Sequence, residues 1–92
     1  MIRSFQDAET RKVFVTGRSK KYGNIARAAA RKLGAIDFAT CVEDLREPPG
    51  NRLEELKGDR KGQYSIRING QYRVCFRWEK QDAWDVEIVD YH

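Results

Sequence analysis

The spacing of apolar residues divides the chain into a front half with helical periodicity and a back half with strand periodicity. From about residue 24 to residue 39, apolar side chains recur every three or four positions, which predicts a helix with one apolar stripe: Ile25, Ala28, Ala29, Leu33 and Ile36. A shorter helix is predicted before it, with Asp7 as the N-cap and Gly17 as the residue that ends it. Residues 2–5 are predicted to form a short strand, and residues 46–51 a loop.

From Leu53 onward the apolar period falls to two, as in strands with one buried face. A strand is predicted over residues 64–68, and the pair Asn69-Gly70 predicts a hairpin turn into a second strand over residues 72–79. A last strand is predicted to place three apolar side chains on one face: Trp84, Val86 and Ile88. The pattern predicts a single α+β domain over residues 1–92, with two N-terminal helices packed on one face of a small, mostly antiparallel sheet.

The polar face of this predicted sheet collects three arginines, Arg67, Arg73 and Arg77. Further cations precede them in the segment Lys57-Gly58-Asp59-Arg60-Lys61-Gly62. Guanidinium groups bind phosphate as a planar fork, so an open basic face favours a nucleic-acid partner. An ordinary solvated sheet face is the alternative for the arginines. A plain turn is the preferred interpretation of the glycine-containing segment, which lacks the pattern of a nucleotide-binding phosphate loop.

Charge and composition narrow the range of partners and cofactors. The chain has 92 residues, a net charge of +4 and 40% hydrophobic residues, which indicates a small folded domain without room for a deep cofactor cavity. Residues 11–32 carry eight lysines or arginines and no acid, which fits either a docking face for RNA or a solvated helix face.

Cysteine and histidine are too few to predict a metal site, and we expect no metal or cofactor. Cys41 and Cys75 are interpreted as buried, reduced thiols, and His92 is the only histidine. No run approaches the roughly 18 apolar residues of a membrane span, and the first five residues lack the apolar core of a signal peptide. We therefore expect a cytoplasmic location without membrane contact.

The strongest candidate for chemistry is the C-terminal tripeptide Asp90-Tyr91-His92. Histidine suits acid–base catalysis because its unperturbed pKa of about 6.5 lies near neutrality, and Asp90 is close enough in sequence to orient it. A frayed polar tail is the alternative interpretation. Because the apolar alternation of the last strand runs into this tripeptide, we expect Asp90 to be held at the end of that strand.

These motifs together resemble the HigB family of toxins, within the RelE/ParE superfamily, over essentially the whole chain. The resemblance rests on Leu56-Lys57-Gly58-Asp59-Arg60, Gly62, Ser65-Ile66-Arg67, Tyr72-Arg73-Val74, Phe76 and Asp90-Tyr91-His92. The segment Pro48-Pro49-Gly50-Asn51-Arg52-Leu53-Glu54 is most similar to the GraT-like members. The resemblance implies a RelE/ParE-like fold and ribosome-dependent cleavage of mRNA in the decoding site, beside 16S rRNA. It also implies a HigA-like helix-turn-helix antitoxin, through which alone operator DNA would be bound.

Matched residue by residue, the resemblance implies catalytic roles for the C-terminal tripeptide and places Arg73 at the scissile phosphate. Some members have histidine where this chain has Glu54, and asparagine where it has Gln71, so Glu54 is a candidate substitute base. The expected catalytic residues are Arg73, Asp90, Tyr91, His92 and Glu54. The expected residues for RNA or ribosome binding are Lys57, Arg60, Lys61, Arg67 and Arg77.

The implied cleavage needs no metal. The 2′-hydroxyl of the RNA attacks the adjacent phosphate and expels the 5′-oxygen, while the enzyme removes one proton, supplies another and stabilises charge. Which of Asp90, His92 and Glu54 acts as the base stays open. Two other functions also stay open: a ParE-like poison of DNA gyrase on the same fold, and a nucleic-acid-binding module without catalysis.

Overall fold

The computed structural model describes residues 1–91, so the predicted role of His92 lies outside the described residues. Two helices come first in this part of the chain, α1 (Ala8–Thr16) and α2 (Ala26–Phe38). They are followed by the strands β1 (Glu54–Glu55), β2 (Gln63–Arg67), β3 (Tyr72–Glu79) and β4 (Asp82–Asp90). The strands pair as one antiparallel sheet in the order β1-β2-β3-β4, so the predicted α+β fold is confirmed.

Helix α1 begins and ends where the sequence predicts because both of its ends are capped. The Asp7 side chain accepts a hydrogen bond of 2.6 Å from the N–H of Thr10. Gly17 follows the helix in the left-handed conformation, with φ of 70°, and its N–H donates to the carbonyl of Val13. The buried hydroxyl oxygen of Thr10 also accepts a hydrogen bond of 3.1 Å from the N–H of Ile88, which fixes α1 to β4.

Both helices pack on one face of the sheet and enclose the apolar core. The helices contribute Val13, Ala26, Ala29, Leu33 and Ile36, and the strands contribute Ile66, Val74, Phe76, Val86 and Ile88. The N-terminal segment runs parallel to β4 and contacts it through isolated bridges from Ile2 to Ala83 and from Phe5 to Val86. The short strand predicted over residues 2–5 is therefore replaced by two isolated bridges to β4.

The alternation predicted for the last strand is wrong at Trp84. Two successive β3–β4 pairs are Cys75 with Glu87 and Arg77 with Trp84. One residue separates the pairs on β3 but two separate them on β4, so β4 contains one extra residue there. Asp85 lies in this bulge with φ of 53°, in the left-handed region. Trp84 is consequently paired with Arg77 on the polar face, and Ala83 occupies the core instead. A one-residue bulge cannot be seen in the spacing of apolar residues.

The predicted loop over residues 46–51 is folded tightly against α2. Pro49–Asn51 forms a 3-10 turn, and Asn51 is fully buried. The amide nitrogen of Asn51 donates to the carbonyls of Leu45 at 3.1 Å and Glu47 at 3.2 Å. Its amide oxygen accepts a hydrogen bond from the ammonium group of Lys32, on α2. One side chain therefore anchors the turn from both sides.

The two cysteines are free thiols that differ in exposure. Cys75 is buried as predicted, but the prediction is wrong for Cys41, which is exposed. Cys41 lies outside the core because it caps a short 3-10 turn, Val42–Arg46, where its thiol interacts with Asp44. Over residues 1–91, the helices are too short or too polar to cross a lipid bilayer.

Candidate active site

The face of the sheet that points away from the helices is built by cross-strand pairing. Residues paired directly opposite one another share a face, so one row runs across all four strands: Glu54, Ser65, Cys75 and Glu87. The neighbouring row begins with Arg67 and Arg73, which are also direct partners. We call this surface the polar face. The register therefore brings Glu54 and Arg73, which are distant in sequence, to adjacent rows of one surface.

Arg73 is held rigidly at the centre of the polar face, and its side chain is only 12% exposed. Its Nε donates to the hydroxyl oxygen of Ser65 at 2.8 Å. Its Nη2 donates to the backbone carbonyl of Arg52 at 2.7 Å and to that of Ser65 at 3.3 Å. Glu54 approaches the same nitrogen at 3.9 Å, which is an ion-pair distance but too long for a hydrogen bond. The guanidinium is thus oriented mainly by neutral acceptors.

Two small residues of the polar face are buried beneath its larger side chains. Ser65 and Cys75 are fully buried although they lie on the side away from the helices. They are covered from above by the side chains of Arg73 and Tyr91, which contact them. This half of the sheet therefore has a small packed floor beneath its larger polar side chains.

Tyr91 lies on the Arg73 side of the sheet. Its N–H donates to the carbonyl of Gln71 at 2.6 Å, which continues the strand pairing beyond β4. Its ring centre is 5.9 Å from the guanidinium carbon of Arg73, within cation–π range. Burial raises the pKa of the Tyr91 hydroxyl above its ordinary value, and the neighbouring Cys75 thiol raises it further. Because the phenol is then neutral at pH 7, Tyr91 can donate a hydrogen bond there but cannot act as a base.

Glu54 is an acid that is accessible to a substrate and lies on the same face as Arg73. Its side chain is 58% exposed and stands beside Arg73 on β1, at the edge of the sheet. Asp90, by contrast, is paired with Tyr72, whose side chain packs against the core and meets the ring of Tyr22 at 5.7 Å. The register therefore puts Asp90 on the helix side. β4 ends at Asp90, which confirms the prediction that this residue lies at the end of the last strand. There the side chain of Gln71 donates to it at 3.2 Å.

The five predicted RNA-binding cations differ in how their charge is compensated. Arg60 donates to Glu87 and Gln63, each at 3.1 Å, so it fastens the turn Gly58–Arg60 to the sheet. Arg77 is bound by carboxylates and is discussed below. The side chains of the other three have no ion-pair or hydrogen-bond partner within residues 1–91: Lys57, Lys61 and Arg67.

Two concavities of the surface carry uncompensated positive charge. One, of about 470 Å³, lies where β1 ends, at the edge of the sheet, and is lined by Glu55, Leu56, Lys57, Gly58 and Lys61. The other, of about 580 Å³, lies at the C-terminal end of α1 and is lined by Lys12, Thr16, Arg18, Ser19 and Lys20. The basic run predicted over residues 11–32 therefore contributes a cationic recess, formed where α1 ends.

Sequence reasoning missed the groups that orient the site. The sequence indicates no separate role for Ser65 beyond its place in a motif. Arg52 acts through its backbone carbonyl, which no side-chain pattern could reveal. One signal was available for Ser65, because a small hydroxyl residue on the same face as Arg67 would lie close to any arginine opposite. Among the described residues, no cluster of histidine, cysteine and carboxylate side chains is arranged to hold a metal ion.

Comparison with known proteins gives a consistent result. A family model described as a RelE-like toxin of the type II toxin-antitoxin system HigB matches residues 3–92. The protein named Toxin HigB-1 of Vibrio cholerae serotype O1 is 53% identical over 55 residues, which are 60% of this chain but only 58% of that protein. The protein named Endoribonuclease HigB of Proteus vulgaris is 34% identical over 95 residues, covering 100% of both chains.

Solved structures agree on the fold. The YoeB-YefM complex from Staphylococcus aureus contains a chain that aligns with a TM-score of 0.57 and 18% identity, over 100% of this chain and 98% of that one. At this identity the similarity concerns the architecture of helices and sheet alone.

Proposed function

We propose a function for this chain on the basis of its family. It belongs to the HigB-like family of RelE-type toxins, which are components of type II toxin-antitoxin systems. The protein is an endoribonuclease that cleaves mRNA on the ribosome, without a metal ion, and thereby stops translation. The observation that carries the proposal is the cluster on the polar face, where a fixed guanidinium, an accessible carboxylate and a neutral phenol meet: Arg73, Glu54 and Tyr91. The name of the full-length relative from P. vulgaris, an endoribonuclease, supports the reaction class.

In the proposed reaction, the 2′-hydroxyl oxygen of the RNA forms a bond to the adjacent phosphorus, and the bond from phosphorus to the 5′-oxygen breaks. The products are a 2′,3′-cyclic phosphate and a free 5′-hydroxyl. Arg73 stabilises the extra negative charge on the phosphoryl oxygens, because its guanidinium is already oriented before the substrate arrives. One group must take the proton from the 2′-hydroxyl, and another must protonate the leaving oxygen.

Glu54, Asp90 and His92 remain the candidates for those two proton transfers. Glu54 shares the Arg73 face and is more than half exposed, which favours it as the base. Asp90 lies at the end of β4, next in sequence to Tyr91, where it can orient His92 or exchange a proton with it. Tyr91 is neutral, so we assign it to positioning the ribose or stacking on a base.

The shallow position of the cluster explains why the ribosome would be needed. A substrate lying on a sheet face is open to water and free to move, whereas mRNA held in the decoding site arrives aligned, which contributes a large entropic advantage. The uncompensated cations of both concavities are suited to contact RNA phosphates. Lys57 and Lys61, which follow β1, would contact the mRNA, and Lys12, Arg18 and Lys20 at the end of α1 would contact 16S rRNA. Such docking predicts that high salt weakens ribosome binding.

The proposed partners follow from the family. A HigA-like helix-turn-helix antitoxin would neutralise the protein and would bind operator DNA, which the toxin contacts only through it. A solved structure that shares this fold is a heterotetrameric complex of the YoeB-YefM toxin-antitoxin from Staphylococcus aureus, which supports a protein partner of this kind. We place the activity in the cytoplasm, where the ribosomes are.

The test is cleavage of a defined mRNA on programmed ribosomes, with ribosome-free mRNA and His92→Ala as controls. We expect cleavage only when ribosomes are present, and a loss of at least about 10²-fold in the His92→Ala variant, since one proton transfer is removed. Cleavage by the variant at the rate of the unaltered protein would contradict the assignment of His92.

Two other functions give different results in the same experiment. A gyrase poison would leave ribosome-bound mRNA intact and would inhibit supercoiling by purified gyrase. A binding module without catalysis would retain RNA or ribosomes but produce no new RNA ends. The Arg73 cluster favours the nuclease, because a surface that only binds has no need for a guanidinium aligned with an exposed carboxylate.

A further inference from the structure

We propose that Ser65 and the backbone carbonyl of Arg52 are positioning groups that orient Arg73 for the scissile phosphate, an inference that rests on the proposed function. A free arginine side chain samples many rotamers, and its guanidinium can present any of three nitrogens. A phosphoryl group is stabilised efficiently only if the same donors point to it in every turnover. The contacts of Arg73 meet this requirement.

The hydrogen bonds of Arg73 occupy one side of its guanidinium. The group has five N–H donors, one on Nε and two on each terminal nitrogen. The Nε donor is taken by the hydroxyl oxygen of Ser65, and the two Nη2 donors by the carbonyls of Arg52 and Ser65. Within residues 1–91, Nη1 donates to no acceptor, so its two hydrogens are the donors that we assign to the phosphate.

Ser65 is well placed to act as a rigid support. It is fully buried in the middle of β2, between its paired neighbours Glu54 and Cys75. Both of its oxygen atoms bind the same guanidinium, the hydroxyl at 2.8 Å from Nε and the carbonyl at 3.3 Å from Nη2. An alanine at this position would keep the carbonyl contact but leave Nε without an acceptor.

The carbonyl of Arg52 reaches Arg73 because of the turn that precedes it. Arg52 has φ of 47° and ψ of 54°, in the left-handed region that a side-chain-bearing residue rarely adopts. The buried side chain of Asn51 anchors this turn to the carbonyls of Leu45 and Glu47 and to Lys32. The motif that spans residues 48–54 thereby has a physical role, which is to deliver one carbonyl to the guanidinium and Glu54 to its side.

The test compares Ser65→Ala with Thr10→Val, in cleavage by the full chain on programmed ribosomes. Thr10 is an equally buried hydroxyl that also accepts one hydrogen bond, but it lies on the helix side and contacts β4 instead of Arg73. We expect Ser65→Ala to lower the cleavage rate at saturating ribosomes by about 10- to 100-fold with little change in ribosome affinity. Thr10→Val should lower thermal stability but leave the rate of the folded fraction unchanged.

A double-mutant cycle shows whether Ser65 acts through Arg73. In an Arg73→Ala background, Ser65→Ala should cause no further loss of rate, because the group that it positions is already absent. An equal loss in both backgrounds, or wild-type cleavage by folded Ser65→Ala, would overturn the proposal. Ser65→Cys keeps the buried volume and offers a weaker acceptor, so it should give an intermediate rate if Ser65→Ala fails to fold.

A second readout does not depend on catalysis. The Nε–H of Arg73 should be visible by ¹⁵N-edited NMR as a slowly exchanging proton in the unaltered protein. It should exchange much faster with water in Ser65→Ala, and unchanged exchange would overturn the proposed contact. Absence of any cleavage by the unaltered protein would instead refute the proposed function, so the two failures are distinguishable.

Discussion

Arg73 and Arg77 lie near the two ends of β3 on the same face of the sheet, but they differ in whether carboxylates compensate their positive charge. Arg73 is held by a hydroxyl and two carbonyls, all neutral, and its nearest carboxylate is 3.9 Å away. Arg77, four residues further along, donates to Asp85 at 2.8 Å and to Glu79 at 2.9 Å. These carboxylates, the bond to Asp85 first, raise the pKa of the Arg77 guanidinium above its ordinary value.

The comparison teaches that the number of arginines on a surface is a poor guide to its ability to bind phosphate. Neutral acceptors orient a guanidinium and leave its positive charge for a ligand, whereas carboxylates orient it and neutralise it. The sequence treats the two arginines as equivalent members of one basic face. In the structure, Arg73 is held by neutral acceptors, whereas Arg77 belongs to an ion-pair network with Glu79 and with Asp85 in the bulge.

The largest expected effect separates the two arginines directly. Arg73→Ala should lower ribosome-dependent cleavage by about 10²- to 10³-fold, as expected when a preorganised charge-stabilising donor is removed. Arg77→Ala removes only an exposed, compensated charge and should cost less than about tenfold. Rate measurements on both purified variants decide the matter, and similar losses would mean that the whole basic face contacts RNA.

The next effect tests the carboxylate beside Arg73. Glu54→Gln should lower cleavage by about 10²-fold if Glu54 carries a proton transfer. The adjacent Glu55→Gln is a matched control, because Glu55 is paired with Tyr64 and so lies on the other side of β1. Single-turnover rates on programmed ribosomes should fall for Glu54→Gln and not for Glu55→Gln, whereas an unchanged rate for Glu54→Gln would transfer the role of base to the C-terminal residues.

Arg60 offers a smaller effect that sharpens the comparison. Its bonds to Glu87 and Gln63 indicate that it fastens the turn bearing Lys57 and Lys61 to the sheet. Arg60→Ala and Glu87→Gln should therefore lower cleavage to a similar extent, and each should lower stability by at most about 1 kcal/mol, because the pair is partly exposed. A much larger loss for Arg60→Ala would show that its guanidinium contacts RNA itself.

Much of the fold was predictable, because it depends on interactions that are close in sequence. The caps Asp7 and Gly17 and the change of period from helix to strand are local signals, and the structure confirms them. The bulge at Asp85 was not predictable, since Trp84 fits the apolar alternation as well as Val86 does. The spacing of apolar residues therefore predicts where helices and strands lie better than it predicts which face each residue near a strand end occupies.

The candidate site could be predicted only as a set of residues, and its organisation could not. The strand alternation predicts Arg73 on the polar face and the resemblance adds Glu54, but the proximity of these two residues depends on the register of three strands. The support of Arg73 by the carbonyl of Arg52 joins residues 21 positions apart through a backbone group. The face occupied by Asp90 likewise follows from its pairing with Tyr72.

The smallest expected effect concerns pH. Burial raises the pKa of both the Cys75 thiol and the Tyr91 hydroxyl, so above about pH 8.5 the folded protein binds more protons than the unfolded chain. Their contribution to stability is complete below that pH and is lost as the pH rises through the raised pKa values. Urea midpoints should fall above about pH 8.5 more steeply than in Cys75→Ala, with Cys41→Ala as the control, and identical slopes would contradict the burial of the Cys75 thiol.

The central claim is that ribosome-bound mRNA is cut by its own 2′-hydroxyl, and the chemistry of the new RNA ends tests it most directly. A short programmed mRNA would be incubated with the protein and ribosomes, and the termini of the fragments identified by mass spectrometry. The account predicts a 2′,3′-cyclic phosphate on one fragment and a 5′-hydroxyl on the other, with neither formed in the absence of ribosomes. Fragments bearing a 3′-hydroxyl and a 5′-phosphate, or no new ends at all, would contradict it.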